Sequence, residues 1–375
     1  MNNDEVACLI ALNAGYVQRT VCEELQRNYG DLVSAFEAVA KGSAKDINAR
    51  LSAKMTPKKL DSARKELQQV ERKQITLIPF WEPNYPRLLD SILNPPPLLY
   101  CLGNVEILDR NSIAMVGTRS CSMYGTRVAT GLSKAVADAG YVVTSGLALG
   151  VDTASHEAAL EVGGLTTAVL GSGLGRIYPA RNRKLAKRIA EAGCLVSEFP
   201  LDAAPQRFHF PRRNRVISGL SLATVVVEAG RKSGALITAT WAAEQGREVF
   251  AVPGQVDTGF SSGCHQLLRE GARVTESLED IEDEISRMKT LLARDMEPEP
   301  LPAEQSREKQ HDRPMGSPRD ARKKLLLDVL GNKGDSLDSI EARTGLTADI
   351  TLPLLMEMEL EGRVVKKAAA TYAKV

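Results

Sequence analysis

The stretch richest in chemistry is Arg207-Phe208-His209-Phe210-Pro211-Arg212-Arg213-Asn214-Arg215. Four arginines and two phenylalanines fall within it, and no acid occurs between Pro205 and Arg215. Guanidinium groups grip phosphate through paired N–H donors, while aromatic rings offer faces on which unpaired bases stack. A single nucleic-acid strand requires both, since its bases are free and its backbone is charged. The competing reading makes Phe208 and Phe210 core residues and pairs the arginines with nearby acids.

Five turns rich in glycine or polar residues form a second group: Gly117-Thr118-Arg119, Ser145–Asp152, Gly171–Gly175, Ser197–Pro200 and Val227–Gly230. Glycine lets backbone N–H groups approach a phosphate, and a helix N-terminus adds favourable partial charge. A dinucleotide site is a poor fit. Gly171-Ser172-Gly173-Leu174-Gly175 lacks the G-x-G-x-x-G spacing, and Glu198 lies beyond the roughly 20-residue interval to a ribose-holding acid. No cofactor is expected. Asp152, Glu198 and Glu228 could serve acid–base catalysis, but carboxylates at strand ends more often cap helices or hold arginines, and no catalytic triad can be assembled around them. The cysteines (Cys8, Cys22, Cys101, Cys121, Cys194, Cys264) show no C-x-x-C pair and the histidines no ligand spacing, so no protein-built metal site is expected.

The elements that must position these residues follow from periodicity. Between Ser112 and about Val274, apolar runs such as Ile113–Val116, Thr167–Leu170, Thr224–Val227 and Val249–Val252 alternate with helical segments at 124–139, 151–161, 183–192, 211–219 and 234–245. Consecutive apolar positions rich in valine suit strands buried on both faces. The expected fold class is therefore α/β, a Rossmann-like parallel sheet with its ligand site at the carboxyl ends of the strands. Residues 1–72 read as short helices, a helix-hairpin-helix or SAM-like domain, broken at Asn13–Gly15 and Asn28–Asp31. A proline-rich connection (75–103) opens the central domain, 73–287. Residues 288–318 read as a flexible linker, and 319–375 as a winged helix.

Composition agrees with an ordinary globular protein: 43% hydrophobic, 25% charged, net charge +1. A near-neutral sum argues against bulk electrostatic coating of nucleic acid, but the charge is segregated. The basic 205–215 stretch contrasts with acidic 276–284. No run approaches the roughly 18 apolar residues of a membrane span, and the first residues lack the pattern of a signal peptide. A cytosolic location without membrane contact is expected.

The ordered motifs Gly117-Thr-Arg119, Ser145–Asp152, Gly171-Ser-Gly173 with Tyr178-Pro179 and Asn182, Ser197-Glu-Phe-Pro200, Phe210–Ser221, Ser233–Ala239 and Val252-Pro-Gly254 resemble the DprA/Smf DNA-processing family. The preceding Tyr85–Leu89 and Pro96–Tyr100 fit it too. His265 stands where the family pattern leads one to expect asparagine. The resemblance implies a non-catalytic, usually homodimeric protein that binds single-stranded DNA and loads the RecA recombinase onto it during natural transformation. It makes Arg119 a phosphate grip, Arg207 a basic contact and Phe210 a base-stacking ring. Gly171, Ser172, Arg212, Arg213 and Asn214 would line the same groove, with Arg215 beside them. A phosphoribohydrolase of the lysine-decarboxylase-like group is the enzyme alternative, but Glu228–Gly234 lacks its P-G-G-x-G-T-x-x-E motif. A pure interaction adaptor, resting on the acidic stretch and the tail, is a third reading. In the tail, the expected recognition helix Asp349–Glu361 carries Asp349, Glu357, Glu359 and Glu361 and no base. A helix bound in the major groove needs cations for phosphates, so this winged helix is expected to dock protein.

Overall fold

In the computed structural model, residues 2–44, 47–296, 318–331 and 334–347 are described, with shorter stretches between 350 and 374. Five helices open the chain: α1 (Asn3–Ala14), α2 (Arg19–Tyr29), α3 (Leu32–Ala40), α4 (Ala49–Ser52) and α5 (Pro57–Arg72). Their breaks fall at the expected turns. Asn2 and Asp31 cap α1 and α3 by accepting from the backbone N–H groups of Asp4 and Ser34.

The central elements follow as β1 (Thr76–Pro79), α6 (Arg87–Asp90), β2 (Leu98–Gly103), β3 (Ser112–Val116), α7 (Met123–Asp138), β4 (Val142–Ser145), α8 (Val151–Glu161), β5 (Thr166–Val169), α9 (Arg183–Ala192), β6 (Cys194–Ser197), α10 (His209–Gly219), β7 (Ala223–Val226), α11 (Ala235–Glu244), β8 (Glu248–Ala251), α12 (Ser262–Arg269), β9 (Arg273–Val274) and α13 (Leu278–Met296). The strands form one sheet in the order β1-β2-β6-β5-β4-β3-β7-β8-β9. From β6 to β9 every pairing is parallel. The chain runs outward from β3 to β6, then returns to lay β7 against the other side of β3. Ligands of open α/β sheets bind outside the carboxyl ends at such a switch point.

Two sequence expectations are corrected here. The proline-rich 75–103 stretch is not merely a connection: β1 and β2 extend the sheet antiparallel beyond β6. Leu98, Leu99 and Tyr100 are fully buried there, and burial of that apolar run outweighs the prolines, of which Pro79 ends β1 and the rest lie outside both strands. The segment 288–318 is also not linker from its start, because α13 continues to Met296. Asp280 accepts from the N–H groups of Glu276 and Ser277, and Ile281 and Ile285 bury one face of the helix against the core around Phe250. The acidic 276–284 stretch is thus a capped helix start, with Glu284 paired to Arg273 and Arg287.

The helical layer is not a separate body from the sheet. Leu9, Leu12 and Leu67 share one core with Leu98, Tyr100, Leu170 and Leu201, and both belong to a compact unit that ends before residue 299.

A second unit contains α14 (Pro318–Val329), β10 (Asp335–Ser336), α15 (Leu337–Thr344), β11 (Val364–Lys367) and β12 (Thr371–Lys374). Its strands pair antiparallel in the order β10-β12-β11 around Leu326, Ile340, Leu355 and Tyr372. Most of the acidic helix expected at Asp349–Glu361 lies outside the described residues. Among the described residues, no helix is long and apolar enough to cross a membrane.

Candidate nucleic-acid interface

The carboxyl ends of β3, β4 and β7 surround a cleft of about 380 Å³. Arg119 and Phe210 stand at its mouth, and Asp152, Arg213 and Asn214 lie deeper among its walls. Phe210 is half-buried in the first turn of α10. Its seat depends on Gly171: a Cβ there would lie 2.8 Å from the ring, so only glycine lets the phenyl lie against the β5 turn. The Arg119 guanidinium hangs 5.3 Å from the Phe210 centroid and the Tyr178 ring lies 5.7 Å from it. Arg119 is exposed, and among the described residues no carboxylate pairs with it.

The arginines of α10 divide sharply, which corrects the expectation that all of them face a ligand. Arg213 is buried and donates to the carbonyls of Gly146 and Val169, with Nε on Asn214 Oδ1 at 3.1 Å. Burial lowers its pKa to about 10 against the opposing pull of Asp152. Gly146 is required beneath it, because a Cβ would come within 2.6 Å of the guanidinium carbon. Arg215 is buried too, paired with Glu198 and donating to the Asn94 carbonyl at 2.7 Å. Burial depresses its pKa, with Glu198 opposing. Asn214 is buried between Arg213 and the Gly234 carbonyl. Ser172 is likewise internal: its hydroxyl donates to the Arg176 carbonyl at 2.8 Å. A buried polar group must find its partners inside the protein, and these side chains have found theirs. Arg207, by contrast, is exposed, and Arg212 keeps 27% side-chain exposure while its Nε donates to Glu198 at 2.9 Å.

The strand-end carboxylates are held in structural roles. Asp152 accepts from the N–H groups of Gly146 and Ala148, both at 3.2 Å. Burial raises its pKa, opposed by Arg213 and those two bonds. Glu198 neutralises Arg212 and Arg215, and Glu228 accepts from the Ser122 N–H and hydroxyl at the start of α7. The Gly171–Gly175 turn is equally occupied, since Gly173 and Gly175 donate their N–H groups to Ala203 and Leu201. His265 donates to the Gly254 carbonyl at 3.0 Å, which steadies the turn after β8. No cluster of metal-binding side chains occurs among the described residues.

Residue-level reading of the sequence set Phe208 among the stacking rings of the segment but gave no contact to Tyr178 or Tyr16. Tyr178 is 44% exposed against Phe210. Phe208 projects to solvent at 53% exposure. Tyr16 comes from the helical layer and donates to His209 Nε2 at 2.8 Å, while His209 Nδ1 donates to the Gly171 carbonyl. Only the Phe208 signal was within the segment already singled out; nothing local ties Tyr16 to α10.

Residues 76–286, which hold the cleft and α10, match the family model for DNA recombination-mediator protein A, and residues 297–369 match that for the DprA winged helix domain. The chain belongs to the DprA/Smf family. DNA processing protein DprA of Bacillus subtilis (strain 168) is 43% identical over 212 residues, spanning 56% of this chain and 71% of that one. Protein Smf of Escherichia coli (strain K12) is 41% identical over 263 residues, 68% of this chain and 70% of the relative. Among solved structures, DprA from Streptococcus pneumoniae superposes with a TM-score of 0.65 at 33% identity, covering 76% of this chain and 98% of its own. The DprA structure from Helicobacter pylori, described for its single-stranded DNA binding mode, gives a TM-score of 0.50 at 30% identity over 59% of this chain and 97% of its own. The DprA/Smf assignment makes this a DNA-processing protein with a winged-helix unit.

Proposed function

We propose that this chain binds single-stranded DNA across the carboxyl rim of its sheet and hands the strand to a RecA-type recombinase, without catalysing a reaction on it. The observation that carries the reading is the Arg119–Phe210 pair: an unpaired, exposed guanidinium beside a half-exposed ring, at the mouth of a cleft at the switch point. A base stacked on Phe210 brings its phosphate within reach of Arg119, and Arg207 and Arg212 extend the positive track. Gly171 acts by seating the ring, and Arg213, Asn214, Arg215 and Ser172 act by holding the turns and helix that present it. The Helicobacter pylori relative, described for single-stranded DNA binding, supports the same ligand.

The enzyme alternative loses its candidates, since Asp152, Glu198 and Glu228 are each held by internal partners. Mediation by a homodimer, and protein docking by the winged helix, belong to the same proposal. A gel shift with oligo-dT at low salt, with duplex of equal length as competitor, tests the ligand. Retention of the single strand is expected, with affinity falling steeply as salt rises; failure to retain it would falsify the reading. Acceleration of recombinase assembly on protein-coated single strands tests the second half.

A further inference from the structure

A second aromatic and cationic surface lies on the other flank of the α10 N-terminus, and one of its rings, Tyr16, comes from the helical layer outside the residues of the family match, which begins at residue 76. Phe208 is the N-cap of α10, and its ring meets Tyr16 edge-on at 5.9 Å. Both rings are exposed, at 53% and 37%. Tyr16 is also stacked upon by Arg212, whose guanidinium carbon is 5.2 Å from the ring centroid. Beside this pair opens a groove of about 260 Å³, walled by Tyr16, Arg212, Arg215, Trp241 and the prolines Pro95 and Pro97.

Three features mark the surface as built. Tyr16 sits at φ +56° in the left-handed turn that ends α1, closed by the Val17 N–H on the Leu12 carbonyl, so its backbone is fixed. Its ring is oriented by the bond to His209 Nε2, with His209 itself stacked on Phe199 at 4.0 Å. Trp241 is fixed by donating its indole N–H to the Pro211 carbonyl at 3.2 Å. The charge is also unbalanced: Arg212 and Arg215 share the single carboxylate Glu198, and no acid is among the residues lining the groove. Rigid aromatic faces with a surplus cation suit a nucleobase and its phosphate.

Resting on the proposed function above, we propose that the groove between Tyr16, Arg212 and Trp241 is a second station on the track of the same single strand, to which the N-terminal helical layer contributes directly. Residues two apart at a helix start point to different sides. Phe210 therefore serves bases on the Arg119 flank, and Phe208 serves bases on the Tyr16 flank. The backbone between them crosses the positive end of α10, an 11-residue helix with no side-chain cap.

The test compares oligo-dT of about 4 and about 20 nucleotides, lengths at the lower end of and beyond the usual range for one stacking platform. Phe210→Ala should weaken both. Phe208→Ala should weaken the long oligonucleotide by about 5- to 100-fold while leaving the short one unchanged. In a Trp81→Phe background Trp241 is the only indole left, and its fluorescence should be quenched by the long oligonucleotide alone. Tyr16→Phe keeps the ring and loses only the bond to His209, and should fall between wild type and Phe208→Ala. Wild-type affinity of Phe208→Ala at both lengths, equal weakening at both, or an unresponsive Trp241 overturns the second station while Phe210 keeps the first. If the wild-type chain retained neither oligonucleotide, the proposed function would fail as well.

Discussion

Arg119 and Arg213 both approach the Phe210 ring, at 5.3 and 6.0 Å from its centroid, yet they live under opposite conditions. Arg119 extends from the turn after β3 into solvent, with no carboxylate partner among the described residues. Arg213 is buried on two carbonyls and faces Asp152. The same side chain is a free contact in one place and a strut in the other. What separates them is the availability of unsatisfied polar groups: strand-end carbonyls inside the fold demand a donor, and a guanidinium, with five donors in a fixed fork, answers several at once. Charge density along a segment therefore overstates the charge presented to a ligand.

The comparison can be broken most forcefully at Arg215. Replacing it with alanine leaves Glu198 only the partly exposed Arg212 as a partner, and loss of one partner of a buried pair costs up to about 3–5 kcal/mol. Denaturant unfolding of Arg215→Ala should show a drop of that size, with binding of a short oligonucleotide at the Phe210 flank by the remaining folded protein nearly intact. Phe210→Ala should behave inversely: about 1–3 kcal/mol of single-strand affinity lost, read by fluorescence anisotropy, with a far smaller change in unfolding midpoint. If both variants lost stability alike, the division between strut and contact would be mistaken.

A third test probes the interior without touching the arginines. His156 is fully buried, its Nδ1 bonded to Thr166 Oγ1, and burial pulls its pKa down to about 3. The unfolded chain binds a proton near pH 6.5 that the folded chain refuses. The histidine therefore favours folding above that pH, and the advantage is lost as pH falls toward 3, by up to about 1.4 kcal/mol per unit. Stability measured between pH 7 and 4 should fall less steeply in His156→Gln than in wild type; parallel curves would remove His156 from the account. The smallest effect is expected at Arg119. Loss of one phosphate contact should shallow the log–log salt dependence of binding by about 0.7, with no change in melting temperature.

Parts of this division were legible in the amino-acid order. Consecutive valines and isoleucines announced β3, β7 and β8, because a strand covered on both faces has no polar side to betray its period. The helix starts fell within two residues of expectation for α7 to α11. The strand-end turns pointed to the rim where the cleft opens, and the ordered motifs around Arg119, Gly171 and Phe210 named the family. The antiparallel pair β1 and β2 was hidden by its prolines, and the extension of α13 to Met296 by the proline- and glutamate-rich run that follows it.

What the sequence alone determined is which chemistry is available: arginines interleaved with aromatics, glycines at strand ends, acids kept out of residues 205–215. Which of those groups faces a ligand was decided only by tertiary structure. Arg213 and Arg215 turned inward because carbonyls and Glu198 from distant strands needed them, and Tyr16 came to Phe208 from 192 positions away because the helical layer shares its core with the sheet. Burial is a property of the packed whole, since a polar side chain is inside or outside only relative to partners that folding brings to it.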